Sequence, residues 1–158
     1  MVENMSMTDA QRDYAARVGA YWEAVGFVHA AGLIIGFLMV CDPARQSQAS
    51  IGRELKLSAG SVSTHVRSLH SVGLLDRVRV PGERSAYYEI PPGAWSRLME
   101  AEGERIAAIA ALADAGAAVL PNARPERITE MGDMARFFQR EWPAVMARMN
   151  DELGTRTP

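Results

Sequence analysis

Hydrophobic positions recur at helical spacing over the first forty residues, alternate over residues 75–90, and return to helical spacing afterwards. Thr8 followed by Gln11 has the pattern of a capping box, which predicts a first helix from Asp9 to about Val25. Gly26 is expected to end this helix in the left-handed conformation. The apolar stripe of the predicted helix consists of Tyr14, Val18, Tyr21, Trp22 and Val25.

An almost wholly apolar segment, Ala30–Cys41, comes next, and Asp42-Pro43 stops it because proline cannot continue a helix. The segment has no polar face, so we expect a helix buried at the centre of the domain. It is too short to span a bilayer. Residues Asp42–Gln46 are predicted to form a surface loop.

Two short helices followed by two β-like runs occupy the middle of the chain. The helices are predicted over Ser47–Lys56 and Ala59–Ser71, and the strands over Leu75–Val80 and Ala86–Ile90, around the polar tip Pro81–Ser85. This order of elements predicts a winged helix-turn-helix, which presents a short polar helix to the major groove of B-DNA.

Two long helices are predicted beyond the wing, Ala94–Leu120 and Glu126–Leu153, separated by a break at Pro121–Pro125. Pro143 is expected to bend the last helix. That helix carries an apolar stripe that something must cover, either the chain's own first helix or a second copy of the protein. We favour the second copy, because three long helices lie outside the small winged core. The stripe consists of Ile128, Met131, Met134, Phe138, Trp142, Val145 and Met149.

The predicted fold is therefore mostly α with a small β-wing, a winged helix-turn-helix flanked by N- and C-terminal dimerisation helices. We expect residues 1–29 to form a dimerisation helix, residues 30–93 the DNA-binding domain, and residues 94–158 the C-terminal dimerisation helices.

In the second motif helix, Val62, Val66 and Leu69 share one face, which leaves small polar residues and an arginine outside. Such residues let a helix approach phosphates and base edges closely. The alternative for Ser61 and Ser63 is simple helix capping. The residues predicted to contact DNA are Ser47, Ser58, Gly60, Ser61, Ser63, Thr64, His65, Arg67, Ser68, Arg77, Arg79, Arg84 and Ser85.

The wing offers three arginines. Arg84 lies at the tip, where an arginine can insert into a narrow minor groove. We expect Arg77 and Arg79 to touch phosphates or to pair with Glu83 or Glu89.

Net charge at first argues against a DNA partner, because the whole chain carries −2. Its distribution changes the interpretation: residues 53–84 hold six basic and three acidic side chains, and the rest of the chain is acidic. The lone cysteine, Cys41, excludes an internal disulfide and fits a reducing compartment, so we expect a cytoplasmic protein.

With these residues the chain resembles the MarR superfamily of bacterial winged-helix regulators, and most of all the subgroup named for the glycine-betaine synthesis repressor. The pieces that carry the resemblance are Ala31–Gly36, Asp42-Pro43, Gly60–Thr64, Gly73–Leu75 and Pro81–Arg84 leading into two tyrosines. The resemblance implies a homodimer on a pseudo-palindromic operator, often a repressor, and often released by a small-molecule effector. The chain departs from the subgroup at Leu33 and Ser85, where basic residues are usual.

An effector of quaternary ammonium type would need an aromatic box, for which Trp22 and Trp95 are the candidates, helped by further tryptophan and tyrosine. The alternative is that these rings only pack helices together.

Two other classes of function compete with a regulator. An enzyme or metal sensor is disfavoured because His65 and His70 are five residues apart and one cysteine cannot form a thiolate cluster, so we expect no metal and no cofactor. A winged helix used for protein contacts, without sequence-specific DNA binding, is the remaining alternative.

Overall fold

The computed structural model describes residues 6–119 and 125–154, and these residues form two compact units that divide between Ala94 and Trp95. The chain is mostly helical with one small antiparallel sheet, which confirms the predicted fold class. The elements are α1 (Asp9–Ala24), α2 (His29–Val40), β1 (Gln46–Ser47), α3 (Gln48–Leu55), α4 (Ala59–Ser71), β2 (Asp76–Arg79), β3 (Ala86–Glu89), α5 (Ala94–Val119) and α6 (Glu126–Gly154).

Helix α1 begins as predicted, with the Thr8 hydroxyl and the Gln11 side chain each accepting a backbone N–H of the other residue. Gly26 follows the helix with φ +90°, as expected of a left-handed glycine.

The predicted apolar stripe of α1 is right in part as a packing face: Val18 and Trp22 lie against α2, next to Gly36 and Gly32. The residues of α1 that are buried are the small ones, Ala15 and Gly19, whereas Tyr14 and Tyr21 are exposed. Small residues occupy the crossing point because the backbones of α1 and α2 approach each other closely there. A β-carbon built on Gly36 would lie 2.7 Å from the Ala15 Cα. No large side chain fits between two helices that approach so closely.

Helix α2 is the centre of the first unit, as its composition predicted. Ile34 and Ile35 are fully buried, and the helix packs against α1, α3 and α4. It begins at His29, one residue earlier than expected, and ends at Val40.

Both motif helices begin at predicted serine caps. The Ser47 hydroxyl accepts the Ser50 N–H at 3.1 Å, and the Ser58 hydroxyl accepts the Ser61 N–H at 3.2 Å. Between the helices, Lys56 adopts the left-handed conformation with φ +56°. The connection is thus a tight turn, which fixes the angle of α4 against α3.

The wing has one strand more than the sequence predicted. The sheet order is β1-β3-β2, all antiparallel, and β1 is the two-residue segment Gln46–Ser47, which pairs with Tyr88 and Tyr87. The sequence predicts that Gln46 lies in a surface loop, yet this residue is buried and its amide donates to the Pro43 carbonyl oxygen at 2.7 Å. Two residues are too few to show strand alternation, so only the pairing reveals the strand.

Helix α3 buries a carboxylate that the apolar pattern did not indicate. Ile51 and Glu54 face inward, whereas Leu55 is only half-buried. The Glu54 carboxylate accepts the Met7 N–H at 3.1 Å and lies 3.9 Å from Arg12 Nη1. The charge is therefore compensated, and it joins the segment before α1 to the helix-turn-helix.

In the second unit α5 and α6 pack as a helical hairpin through small residues. Ala113 and Ala135 are buried, and the Trp142 Nε1 donates to the Met99 carbonyl oxygen at 3.1 Å. Pro143 lies inside α6, which continues to Gly154. Of the predicted break at Pro121–Pro125, residues 121–124 lie outside the described residues. Within the described part of the chain no helix is long and apolar enough to cross a membrane.

Candidate nucleic-acid interface

Helix α4 has a sharply divided surface. Val62 and Val66 are fully inaccessible and Leu69 is 5% exposed, as the spacing predicted. At 100° per residue the direction opposite this apolar face is occupied by Gly60, Thr64, Arg67 and Ser68, all of which are exposed. Ser61, Ser63 and His65 lie on the flanks and are half-buried.

The outer face of α4 keeps its hydrogen-bonding groups available. Arg67 Nε donates to the Ser63 carbonyl oxygen at 3.1 Å, and its terminal nitrogens make no other bond within the described residues. The N-cap role belongs to Ser58, and the hydroxyls of Ser61 and Ser63 make no hydrogen bond in the described part of the chain. A guanidinium laid along the helix with free terminal nitrogens suits a phosphate or a guanine edge.

The end of α4 is fixed to the start of the wing. His70 Nδ1 lies 2.8 Å from the Leu75 carbonyl oxygen, and the Leu74 N–H donates to the Leu69 carbonyl oxygen. Gly73, with φ +77°, makes this sharp reversal possible. The start of β2 is therefore fixed against the end of α4.

Strand register decides what the wing arginines can reach. Arg77 stands opposite Tyr88 and Arg79 opposite Ala86, so both lie on one face of the sheet. Glu89 is on the other face, where it pairs with Arg45 at 2.7 Å. The predicted pairing of Arg77 or Arg79 with Glu89 is therefore wrong. Neither arginine forms an ion pair within residues 6–119 and 125–154.

The tip of the wing is exposed from Pro81 to Ser85. Gly82 has φ +86°, and the Glu83 N–H donates to the Val80 carbonyl oxygen at 3.1 Å, which closes the turn. Arg84 makes no ion pair in the described residues. An exposed cation at a wing tip is the type of group that can insert into a minor groove.

Two further basic residues lie near this surface and are not among the predicted DNA contacts. Arg53 is 61% exposed near the end of α3, and Lys56 is exposed in the turn before α4. Their position at the end of a motif helix was the available signal, because the turn between two such helices lies beside the reading helix.

Two of the three tryptophans considered for effector binding make contacts within the protein. The Trp22 ring lies 4.9 Å from the Phe27 ring, and Trp142 bonds to α5 as described. Trp95 is 43% exposed.

The cysteine and histidine side chains outside this surface show no sign of catalytic or metal-binding chemistry in the described residues. Burial raises the pKa of the Cys41 thiol to about 11, so the thiol is protonated and a weak nucleophile at neutral pH. His29 is bound to Glu23 at 2.9 Å. Within the described residues no three histidine, cysteine or acidic side chains form a metal-binding group.

This arrangement, a polar helix and an arginine-tipped wing on a buried scaffold, defines a winged helix-turn-helix DNA-binding protein. A family model described as MmpR5-like MarR family transcriptional regulator matches residues 93–152. The HTH-type transcriptional regulator MmpR5 of Mycobacterium tuberculosis is 31% identical over 97% of this chain and 94% of its own length. A crystal structure described as a transcriptional regulator has a TM-score of 0.81 and 29% identity, covering 90% of this chain and 99% of that one.

The chain belongs to the MmpR5-like MarR family of transcriptional regulators. Membership in the MarR superfamily was predicted and is confirmed, and the expectation of a non-enzyme is confirmed by the regulators to which the chain is related. The match is to MmpR5-like regulators, and the glycine-betaine subgroup stays a prediction.

Proposed function

We propose that the protein is a homodimeric, sequence-specific repressor that acts in the cytoplasm on a pseudo-palindromic operator, with α4 of each copy in the major groove. The observation that carries the proposal is the division of α4 into a fully buried apolar face and an exposed face of Thr64, Arg67 and Ser68. Arg67 places a positive charge on that face, and its terminal nitrogens suit a phosphate or a guanine edge.

The residues that we propose to contact DNA are those predicted from the sequence. On α4, the outermost residues (Gly60, Thr64, Arg67 and Ser68) face the base edges, and the flanking residues (Ser61, Ser63 and His65) face the DNA phosphates. Selecting duplexes from a random library with the wild-type protein tests the proposal. Enrichment of one two-fold symmetric sequence supports it. Enrichment of no sequence favours the protein-contact module.

Exposed apolar side chains on the second unit support the homodimer. Met134, Phe137 and Phe138 of α6 are 44–51% exposed, and the two phenylalanine rings are in edge contact. A monomer rarely leaves a group of large apolar residues open to water.

We therefore expect light scattering to give twice the chain mass of 17.2 kDa. Phe138→Glu should shift the protein towards the monomer, because a charge at an apolar seam loses its hydration. Gln139→Glu adds the same charge on the same helix at an exposed position and should leave the dimer intact. The same oligomeric state in both variants would show that Phe138 does not lie in the dimer interface.

Arg84 is proposed to enter the minor groove. Arg84→Ala should flatten the dependence of log affinity on log salt concentration by about two units, because the dimer loses two cations that displace counterions, one from each copy. Binding titrations at several salt concentrations measure the slope. Arg17→Ala, an equal loss of charge on the exposed side of α1, should leave the slope as it is. An unaltered slope for Arg84→Ala would remove the wing from the interface.

Repression and release by a small molecule are further predictions that rest on the family resemblance. A promoter–reporter fusion distinguishes repression from activation, since loss of the protein should raise expression. Quenching of tryptophan fluorescence by choline, and not by a neutral isostere, tests whether Trp22 or Trp95 takes part in binding a quaternary ammonium effector.

A further inference from the structure

An ion pair at the base of the wing joins it to the segment that leads out of α2. Arg45 Nε donates to Glu89 Oε2 at 2.7 Å. Since Gln46 pairs with Tyr88, Arg45 stands directly opposite Glu89 in the continuation of the same antiparallel register. We call Arg45 and Glu89 the wing clamp. Directly opposed side chains in a sheet are its strongest lateral contacts.

Glu89 lies between a basic residue on one neighbouring strand and an acidic residue on the other. Asp76 of β2 is directly opposite Glu89, so two carboxylates are neighbours across the strands. Like charges in that position destabilise a sheet. Arg45 offsets this repulsion, and Glu89, at 21% exposure, is shielded enough from water for the interaction to matter.

Little else braces the wing on this face. The sheet face that carries Arg45 and Glu89 lines an open groove of about 740 Å³, which also runs past Val80, Glu83 and Tyr87 towards α3. An open groove holds no packed side chains to resist bending of the hairpin. On the opposite face Tyr88 is buried and its hydroxyl accepts Gln48 Nε2 at 3.0 Å, so that face is anchored.

We propose that the wing clamp is a positioning device that sets the angle of the wing, and so places Arg84 in the minor groove. The inference rests on the proposed function. Glu89 and Arg84 are five residues apart, roughly 17 Å along an extended strand. A tilt of about ten degrees at the base therefore moves the tip by about 3 Å, half the width of the minor groove, roughly 6 Å.

The direction in which Glu89→Gln changes DNA affinity distinguishes an effect on wing position from an effect of net charge. Arg45→Ala removes a positive charge and Glu89→Gln a negative one, so an effect of charge alone weakens DNA binding in the first and strengthens it in the second. Positioning weakens binding in both, by about fivefold, the upper effect of a partly exposed pair. The reversed double variant R45E/E89R keeps the net charge, places a basic group opposite Asp76, and should restore affinity.

A double-mutant cycle of Arg45→Ala and Arg84→Ala, with DNA affinity as the measured quantity, distinguishes positioning of the wing from a purely stabilising role. In the wild-type background Arg84→Ala should cost affinity and flatten the salt slope. In the Arg45→Ala background it should cost almost nothing more, because the tip is already misplaced. Thermal melting of each variant shows whether the protein stays folded.

Anisotropy titrations use the duplex that wild-type protein selects. Tighter binding by Glu89→Gln, or an equal cost of Arg84→Ala in both backgrounds, overturns the clamp and leaves the proposed function standing. Failure of the wild-type protein to select any duplex overturns both. If a clamp variant fails to fold, the reversed pair decides alone: wild-type affinity supports the clamp, and affinity still weakened in a folded protein overturns it.

Discussion

Gly36→Ala is expected to lower the free energy of unfolding by about 3 kcal/mol, at the upper end of what an added methyl group costs in a packed core. The new β-carbon would lie 2.7 Å from the Ala15 Cα and 2.9 Å from the Val18 Cβ. The first of these neighbours is backbone, so relief requires that α1 and α2 move apart. Denaturant unfolding followed by circular dichroism measures the loss.

Gly60→Ala is the matched control. It makes the same chemical change inside a helix, but a β-carbon on Gly60 meets nothing within 4 Å. We expect a gain of about 0.5–1 kcal/mol, because alanine loses less backbone entropy than glycine in a helix. Similar stability changes at both positions would mean that the close crossing of α1 and α2 is not what holds the first unit together.

Arg67→Ala is expected to weaken operator binding by at least about tenfold, since one bidentate contact to a base is worth about 1–3 kcal/mol. The side chain lies on the outside of α4 and bonds only to the backbone of its own helix in the described residues. The melting temperature should therefore stay unchanged. Anisotropy titrations with the selected duplex measure the loss of affinity.

Arg67→Lys distinguishes base reading from phosphate binding. Lysine keeps the charge but lacks the planar fork, so the salt slope should persist while discrimination between operator and scrambled duplex falls. Arg17→Ala controls for net charge and should change neither the salt slope nor the discrimination between the two duplexes. Full retention of discrimination by Arg67→Lys would show that Arg67 contacts only phosphate.

The helices could be predicted because their signals are local. Thr8 and Ser58 are capping residues within three positions of the amides they satisfy, and Val62, Val66 and Leu69 repeat at the period of the helix. Such features need no knowledge of what the helix packs against. The outer face of α4, and with it most of the candidate site, follows from the same periodicity.

The features that could not be predicted depend on distant partners. Gly36 packs closely because Ala15 is small, and a pattern of large apolar residues does not show this. Glu54 is buried because Met7 and Arg12 satisfy it from 47 and 42 positions away. The Arg45 to Glu89 pair follows from strand register, which is fixed only when β1 forms.

The central claim is that two copies of the chain place α4 into successive major grooves of one duplex. Hydroxyl-radical footprinting of wild-type protein on the selected duplex tests it most directly. We predict two protected tracts related by two-fold symmetry, with centres one helical turn, about 34 Å, apart, and their loss in Arg67→Ala. A single tract, or protection that is the same on a scrambled duplex, would contradict the account.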